Sequence, residues 1–121
     1  MISSFEGINI YSKNPAALAA FYSDVLGVPI PFEGFANSDG AKIGFDRGQP
    51  GIIIWDETKW DKLTTGSVNL VFSCSNLEET YEELKARGLA CEPPVTMEYG
   101  GKEMNFRDPD GNSITLLQGA Y

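Results

Sequence analysis

Apolar and polar positions alternate with a period of two in several short stretches, and two longer stretches break that rhythm with spacings of three and four. From Phe5 to Ser12, Ile8 and Ile10 fall on one side while Gly7, Asn9 and Tyr11 fall on the other, which predicts a strand. Asn14 and Pro15 then supply an N-cap and a first helical residue. Leu18, Phe21, Tyr22 and Val25 continue as the apolar stripe of a helix that Gly27 ends. Three short strands are predicted next, over Phe32–Phe35, Ala41–Asp46 and Gly51–Trp55. The run Ile52–Trp55 is apolar on both faces, as in a strand covered on two sides.

A polar connector containing Trp60 spans residues 57–66, and Trp60 is expected to anchor it to a neighbouring surface, the alternative being that it caps a cleft. The pattern then begins again. Val68, Leu70 and Phe72 alternate with Asn69, Val71 and Ser73 in a strand over Ser67–Ser75. Asn76 with Glu79 forms a capping box, and Leu77, Tyr81, Leu84 and Leu89 define a second helix stopped by Gly88. Acids lead this helix (Glu78, Glu79, Glu82, Glu83) and bases close it (Lys85, Arg87). That order complements the helix dipole, so the acid run is read as helix chemistry. Strands are predicted over Ala90–Met97, Lys102–Arg107 and Asn112–Gln118, the last two joined through Asp108-Pro109-Asp110-Gly111. Asp at the first position, Pro at the second and Gly at the fourth of that turn fit type I geometry. Ile114 and Leu116 face a core, while Ser113, Thr115 and Leu117 face the other way.

One offset of 62 residues relates the halves: it carries Asn14 onto Asn76 and Asp46 onto Asp108. The expected fold class is α+β, with two tandem βαβββ modules, at about 5–56 and 67–118 of a single domain. Their curved mixed sheets would turn their helix-free faces toward a cleft.

Composition narrows the partners. Seventeen acids against nine bases give a formal charge of −8 without a basic cluster, which argues against nucleic acid. No apolar run approaches the ~20 residues needed to span a bilayer, and no basic, apolar leader pattern is present, so a soluble cytoplasmic chain is expected. Cys74 and Cys91 lack metal-type spacing and are read as free thiols, with a bridge between them left open.

The chain resembles the vicinal oxygen chelate superfamily, which includes glyoxalase I, extradiol dioxygenases and the fosfomycin- and bleomycin-resistance proteins. Three stretches carry the likeness: Ile8–Asn14 with Phe21-Tyr22 and Val25-Leu26-Gly27; Asn69 to Gly88; and Asp108-Pro109-Asp110-Gly111-Asn112. The resemblance implies a homodimer and a divalent metal that chelates two neighbouring substrate oxygens. The family's four ligand positions fall here on Gly7, Ile53, Asn69 and Thr115, and the chain has no histidine. Gly offers no donor, Ile no lone pair, and Asn and Thr only neutral oxygens, whereas a transition metal needs imidazole or anionic ligands. No metal or other cofactor is therefore expected.

The expected function is metal-free binding of a small molecule, a cationic or aromatic compound, as bleomycin-resistance proteins sequester a cationic drug. Gly7, Asn9, Tyr11, Ile53, Trp55, Asn69, Val71, Ser73, Ser113, Thr115 and Leu117 would line the cleft. The alternatives are an enzyme of lyase or isomerase type with non-metal chemistry, for which Tyr11, Glu98 and Glu103 are the acid–base candidates, and an interaction module with a vestigial cleft. No nucleophile–base pair stands out for the enzyme reading.

Overall fold

Alternation and capping translate into eight strands and three helices among the described residues of a computed structural model, which are 1, 5, 7–33, 40–46, 48–60, 68–98 and 100–119. The strands are β1 (Gly7–Ser12), β2 (Phe32–Glu33), β3 (Ala41–Ile43), β4 (Gly51–Asp56), β5 (Asn69–Ser73), β6 (Val95–Thr96), β7 (Lys102–Arg107) and β8 (Ser113–Gln118). The helices are α1 (Pro15–Ala20), α2 (Glu57–Trp60) and α3 (Leu77–Ala86), and a π-helical turn, Phe21–Val25, prolongs α1. The chain divides into two compact units, Met1–Thr64 and Thr65–Tyr121.

The first unit holds a four-stranded sheet in the order β1-β4-β3-β2 and the second a sheet in the order β5-β8-β7-β6. In each, the outer strand before the helix pairs parallel with the last strand of the unit, and the remaining pairs are antiparallel. This is the α+β architecture of two βαβββ repeats. The registers repeat as well: Gly7 lies opposite Gly51 and Asn9 opposite Ile53, and adding 62 to each gives the observed pairs of Asn69 with Ser113 and Val71 with Thr115.

In the first unit, Asn14 accepts the Ala17 amide at 3.1 Å and Pro15 occupies the first turn, so the N-terminus of α1 is capped as its sequence requires. Leu18 and Tyr22 are fully buried with Ile10, Ile43 and Ile54, which forms the core between α1 and one face of the sheet. Burying each of these aliphatic side chains contributes on the order of 1.5–3 kcal/mol before chain entropy is subtracted. The π-helical turn closes on the Leu26 and Val28 amides, which reach the Phe21 and Tyr22 carbonyls, and Gly27 takes the positive φ of 72° that ends it.

In the second unit, Asn76 accepts the Glu79 amide at 3.2 Å, and the Gln118 carboxamide on β8 accepts the Leu77 amide at 2.6 Å. Two orphan donors of α3 are thus satisfied, one by its own cap and one by the sheet it covers. Leu77 and Leu84 turn inward with Leu70, Met104, Ile114 and Leu116. The Asp108 turn is more elaborate than its sequence suggests. Gly111, at φ 83°, donates to the Asp108 carbonyl at 2.9 Å. One Asp108 carboxylate oxygen accepts the Asp110 and Asn112 amides, and the other accepts Asn112 Nδ2 at 2.8 Å. Both side chains are buried, so the motif is a satisfied structural knot that starts β8.

Several expectations change. The strand expected over Ala41–Asp46 stops at Ile43, and that expected over Ala90–Met97 is only Val95–Thr96, because Pro93 and Pro94 lack ladder donors. The connector opens as a helical turn, α2, whose first turn is capped by Asp56: its carboxylate accepts the Thr58 amide at 2.9 Å and the Thr58 hydroxyl at 2.6 Å. Those two bonds hold the Asp56 carboxyl below the usual range. Residues 34–39 and 61–67 lie outside the described residues, and with them the end of the expected second strand, the rest of the connector and the start of the fifth strand. Ile8, on the same strand face as the buried Ile10, is 37% exposed. Cys74 and Cys91 are both free thiols, pushed up in pKa chiefly by burial.

Candidate functional site

Each sheet has one face covered by its helix and one face turned away from it, and strand register assigns the residues of the second face. In the first unit these are Gly7, Asn9 and Tyr11 of β1, Gly51, Ile53 and Trp55 of β4, and Lys42 of β3, which lies opposite Ile53. In the second they are Asn69, Val71 and Ser73 of β5, Ser113, Thr115 and Leu117 of β8, and Glu103, Asn105 and Arg107 of β7. Every residue read from the sequence as cleft-lining lies on one of these two faces. Lys42 and Asn105 were missed because they sit one residue out of step with the offset of 62. Their signal was available in the alternation of their own strands.

The first face is organised around Trp55. Its indole Nε1 donates to Asn9 Oδ1 at 3.1 Å, and its ring meets Trp60 edge-on at 5.2 Å between centroids. Gly40 makes room for it, since a Cβ there would lie 2.5 Å from the Trp55 ring. Indole N–H is a donor only, so the Asn9 oxygen must face it and the Asn9 amino group must point away. Trp60, 45% exposed, anchors α2 on this face as expected and leaves aromatic surface open to solvent. Lys42, buried at 6% exposure, runs across Gly51 and donates to the Gln49 carbonyl. That lysine ties down the turn before β4.

The second face carries a polar trio. Thr115 Oγ1 lies 2.6 Å from Asn105 Oδ1 and 3.3 Å from Asn69 Oδ1, so β5, β8 and β7 each contribute one member. Thr115 is 7% exposed and Leu117 4%, whereas Asn69, Val71, Ser73 and Asn105 are exposed. Arg107 is turned to the Gly111 carbonyl at 2.8 Å. Glu103 lies on this face opposite Leu117, and Glu98 is an exposed loop residue. Tyr11 is on the other unit's face.

The family's four metal-ligand positions do not fit a metal here. Gly7 has φ +147°, and a Cβ on it would lie 2.2 Å from the Gly51 carbonyl oxygen, so this backbone excludes any side chain at that position. Ile53 has no donor atom. Asn69 and Thr115 offer only neutral oxygens, and the Thr115 hydroxyl is engaged with its asparagine neighbours. Among the described residues, no group of three or more His, Cys, Asp or Glu side chains could hold an ion.

The family model for the Glyoxalase/Bleomycin resistance protein/Dioxygenase superfamily matches residues 4–116, and the chain belongs to that superfamily. The protein YraH of Bacillus subtilis (strain 168) is 28% identical over 111 residues, covering 81% of this chain and 84% of YraH. Among solved structures, a member of the same superfamily from Sphaerobacter thermophilus DSM 20745 matches with a TM-score of 0.81 at 20% identity, over 98% of both chains. TnmS3, an antibiotic binding protein from Streptomyces sp. CB03234, matches with a TM-score of 0.76 at 19% identity, again over 98% of each. At these identities the structural matches bear on the fold. No helix among the described residues is long and apolar enough to cross a membrane.

Proposed function

We propose that this chain is a metal-independent small-molecule-binding protein that uses the helix-free faces of its sheets, acting as a cytoplasmic homodimer of the glyoxalase and bleomycin-resistance type. The observation that carries the reading is the Gly7 backbone. A position that holds a ligating side chain elsewhere in the superfamily is here closed to every residue but glycine. The other three positions supply no anionic or imidazole donor, so chemistry that polarises a substrate through a bound ion has no support in these side chains.

What the faces do supply is typical of recognition. Trp55 is held by three neighbours before any ligand arrives, Trp60 presents aromatic surface, and Asn9 presents amide donors beside them. An aromatic compound finds stacking surface and directional hydrogen bonds there. The formal charge of −8 attracts a cationic one over longer range. TnmS3, described as an antibiotic binding protein, shows that the fold serves binding in at least one similar chain. The free thiols suit a reducing compartment.

The test is a titration of the metal-free protein with a panel of cationic and neutral aromatic compounds, read by tryptophan fluorescence and by melting temperature. Saturable quenching with a rise in melting point supports the reading. A panel without response, or a response that depends on added divalent metal, overturns it. Sedimentation of the same sample reports the dimer.

A further inference from the structure

The trio on the second unit's face has a donor–acceptor polarity that follows from counting protons. Thr115 has one hydroxyl proton. The 2.6 Å contact to Asn105 Oδ1 is an ordinary O–H···O length and takes that proton, so the Asn105 amino group keeps both its N–H donors for other partners. The Asn69 carboxamide, 3.3 Å from the same hydroxyl, then faces a lone pair. Turning the exposed, near-symmetric Asn69 carboxamide by half a revolution puts its nitrogen where Oδ1 lies, as a donor to that lone pair, and sends the oxygen outward. Thr115 is 7% exposed and its strand is central between β5 and β7, so the hydroxyl is a fixed pivot. Both asparagines beside it are exposed.

We infer that Asn69 and Asn105, set in opposite senses by Thr115, form a subsite for the edge of a neutral amide: a carboxamide, lactam or imide whose C=O accepts from Asn105 while its N–H donates to Asn69. The inference rests on the metal-free binding proposed above and names the polar group that such a ligand presents to this face. Charged alternatives fit less well. A carboxylate would face the Asn69 oxygen and share the sheet face with Glu103, and Arg107 is already turned to the Gly111 carbonyl. An ammonium group would meet one neutral oxygen and two N–H donors. An amide edge satisfies both side chains and leaves neither unpaired.

The experiment uses the full-length, metal-free, ¹⁵N-labelled protein with benzamide and N,N-dimethylbenzamide as probes. The two share the ring and the carbonyl, and only benzamide has amide N–H. Benzamide is expected to shift the side-chain amide signals of Asn69 and Asn105 and to bind at least about tenfold more tightly than the dimethyl compound, the equivalent of one directional hydrogen bond. Thr115→Val is expected to abolish that preference while retaining the fold, and Asn105→Leu, which leaves the Thr115 hydroxyl with Asn69 as its remaining acceptor, serves where Val lowers the melting point. Equal binding of both probes, or shifts that leave the two asparagines untouched, overturns the inference and leaves the metal-free binding reading standing. Absence of binding by both probes also overturns it. The aromatic panel then decides separately whether the broader reading falls as well.

Discussion

Gly7→Ala puts the account under the most direct structural strain. Two effects add at this position. The backbone sits at φ +147°, where an L side chain costs on the order of 1 kcal/mol or more. The new Cβ would also lie 2.2 Å from the Gly51 carbonyl oxygen, so β1 and β4 must move apart along a parallel ladder of six residue pairs. Overpacking of that kind costs roughly 1–3 kcal/mol. The sum is about 2–4 kcal/mol, and for a chain of this size the melting temperature should fall by roughly 8–16 °C. Gly111→Ala isolates the first effect, because φ is +83° there and no atom lies within 4 Å of the added Cβ; a fall of about 4 °C is expected. Thermal melts of the two variants, followed by circular dichroism, measure the difference. If Gly7→Ala costs no more than Gly111→Ala, the close approach of β1 to β4 is not as described. The claim that this position cannot carry a metal ligand would fail with it.

Three further outcomes are expected. Asp108→Ala strips acceptors from the Asp110 and Asn112 amides and from the Asn112 carboxamide, and should destabilise by about 3–5 kcal/mol in urea melts; a loss below about 1 kcal/mol would contradict the buried network. Gly40→Ala should displace the Trp55 ring, break its bond to Asn9 and shift the tryptophan emission and near-ultraviolet dichroism, whereas unchanged spectra would refute the tight seat. Cys74 has a folded pKa raised chiefly by burial, so its contribution is fully present below the unfolded thiol range of about 8.5 and is lost as pH rises through the folded value. Stability should therefore decline on the alkaline side, less steeply in Cys74→Ala, and iodoacetamide should label the native thiol more slowly than the denatured one. Fast native labelling or a flat alkaline profile would contradict this.

Much of the fold was readable because its signals are local. Asn14-Pro15, the Asn76 cap, the ending glycines and Asp108–Gly111 each act within a few residues, and each appears in the structure where the chain chemistry puts it; of the Asn76–Glu79 capping box, the half in which Asn76 accepts the Glu79 amide is seen. The 62-residue offset was readable too, and strand pairing reproduces it residue for residue in β1–β4 and β5–β8. What was not readable depends on contacts distant in sequence. The Asn9–Trp55 bond joins residues 46 apart, as does the contact of Asn69 with Thr115. The offset hides Lys42 and Asn105 because the third strand of each unit slips by one residue. The sequence could show that Gly7 lacks a donor, but only the β1–β4 distance shows that nothing larger fits there. Helix α2 is hidden within the connector because four residues are too few for a periodic signal, and its capping by Asp56 and Thr58 needs no apolar stripe.

The sharpest test of the central claim is the metal content of the purified protein, by elemental analysis after equilibration with zinc, nickel, manganese or iron(II) and removal of unbound ion. With Gly7 closed and Ile53, Asn69 and Thr115 offering no anionic or imidazole donor, substoichiometric traces are predicted for every metal. One tightly held ion per chain, retained through dialysis, would contradict the account.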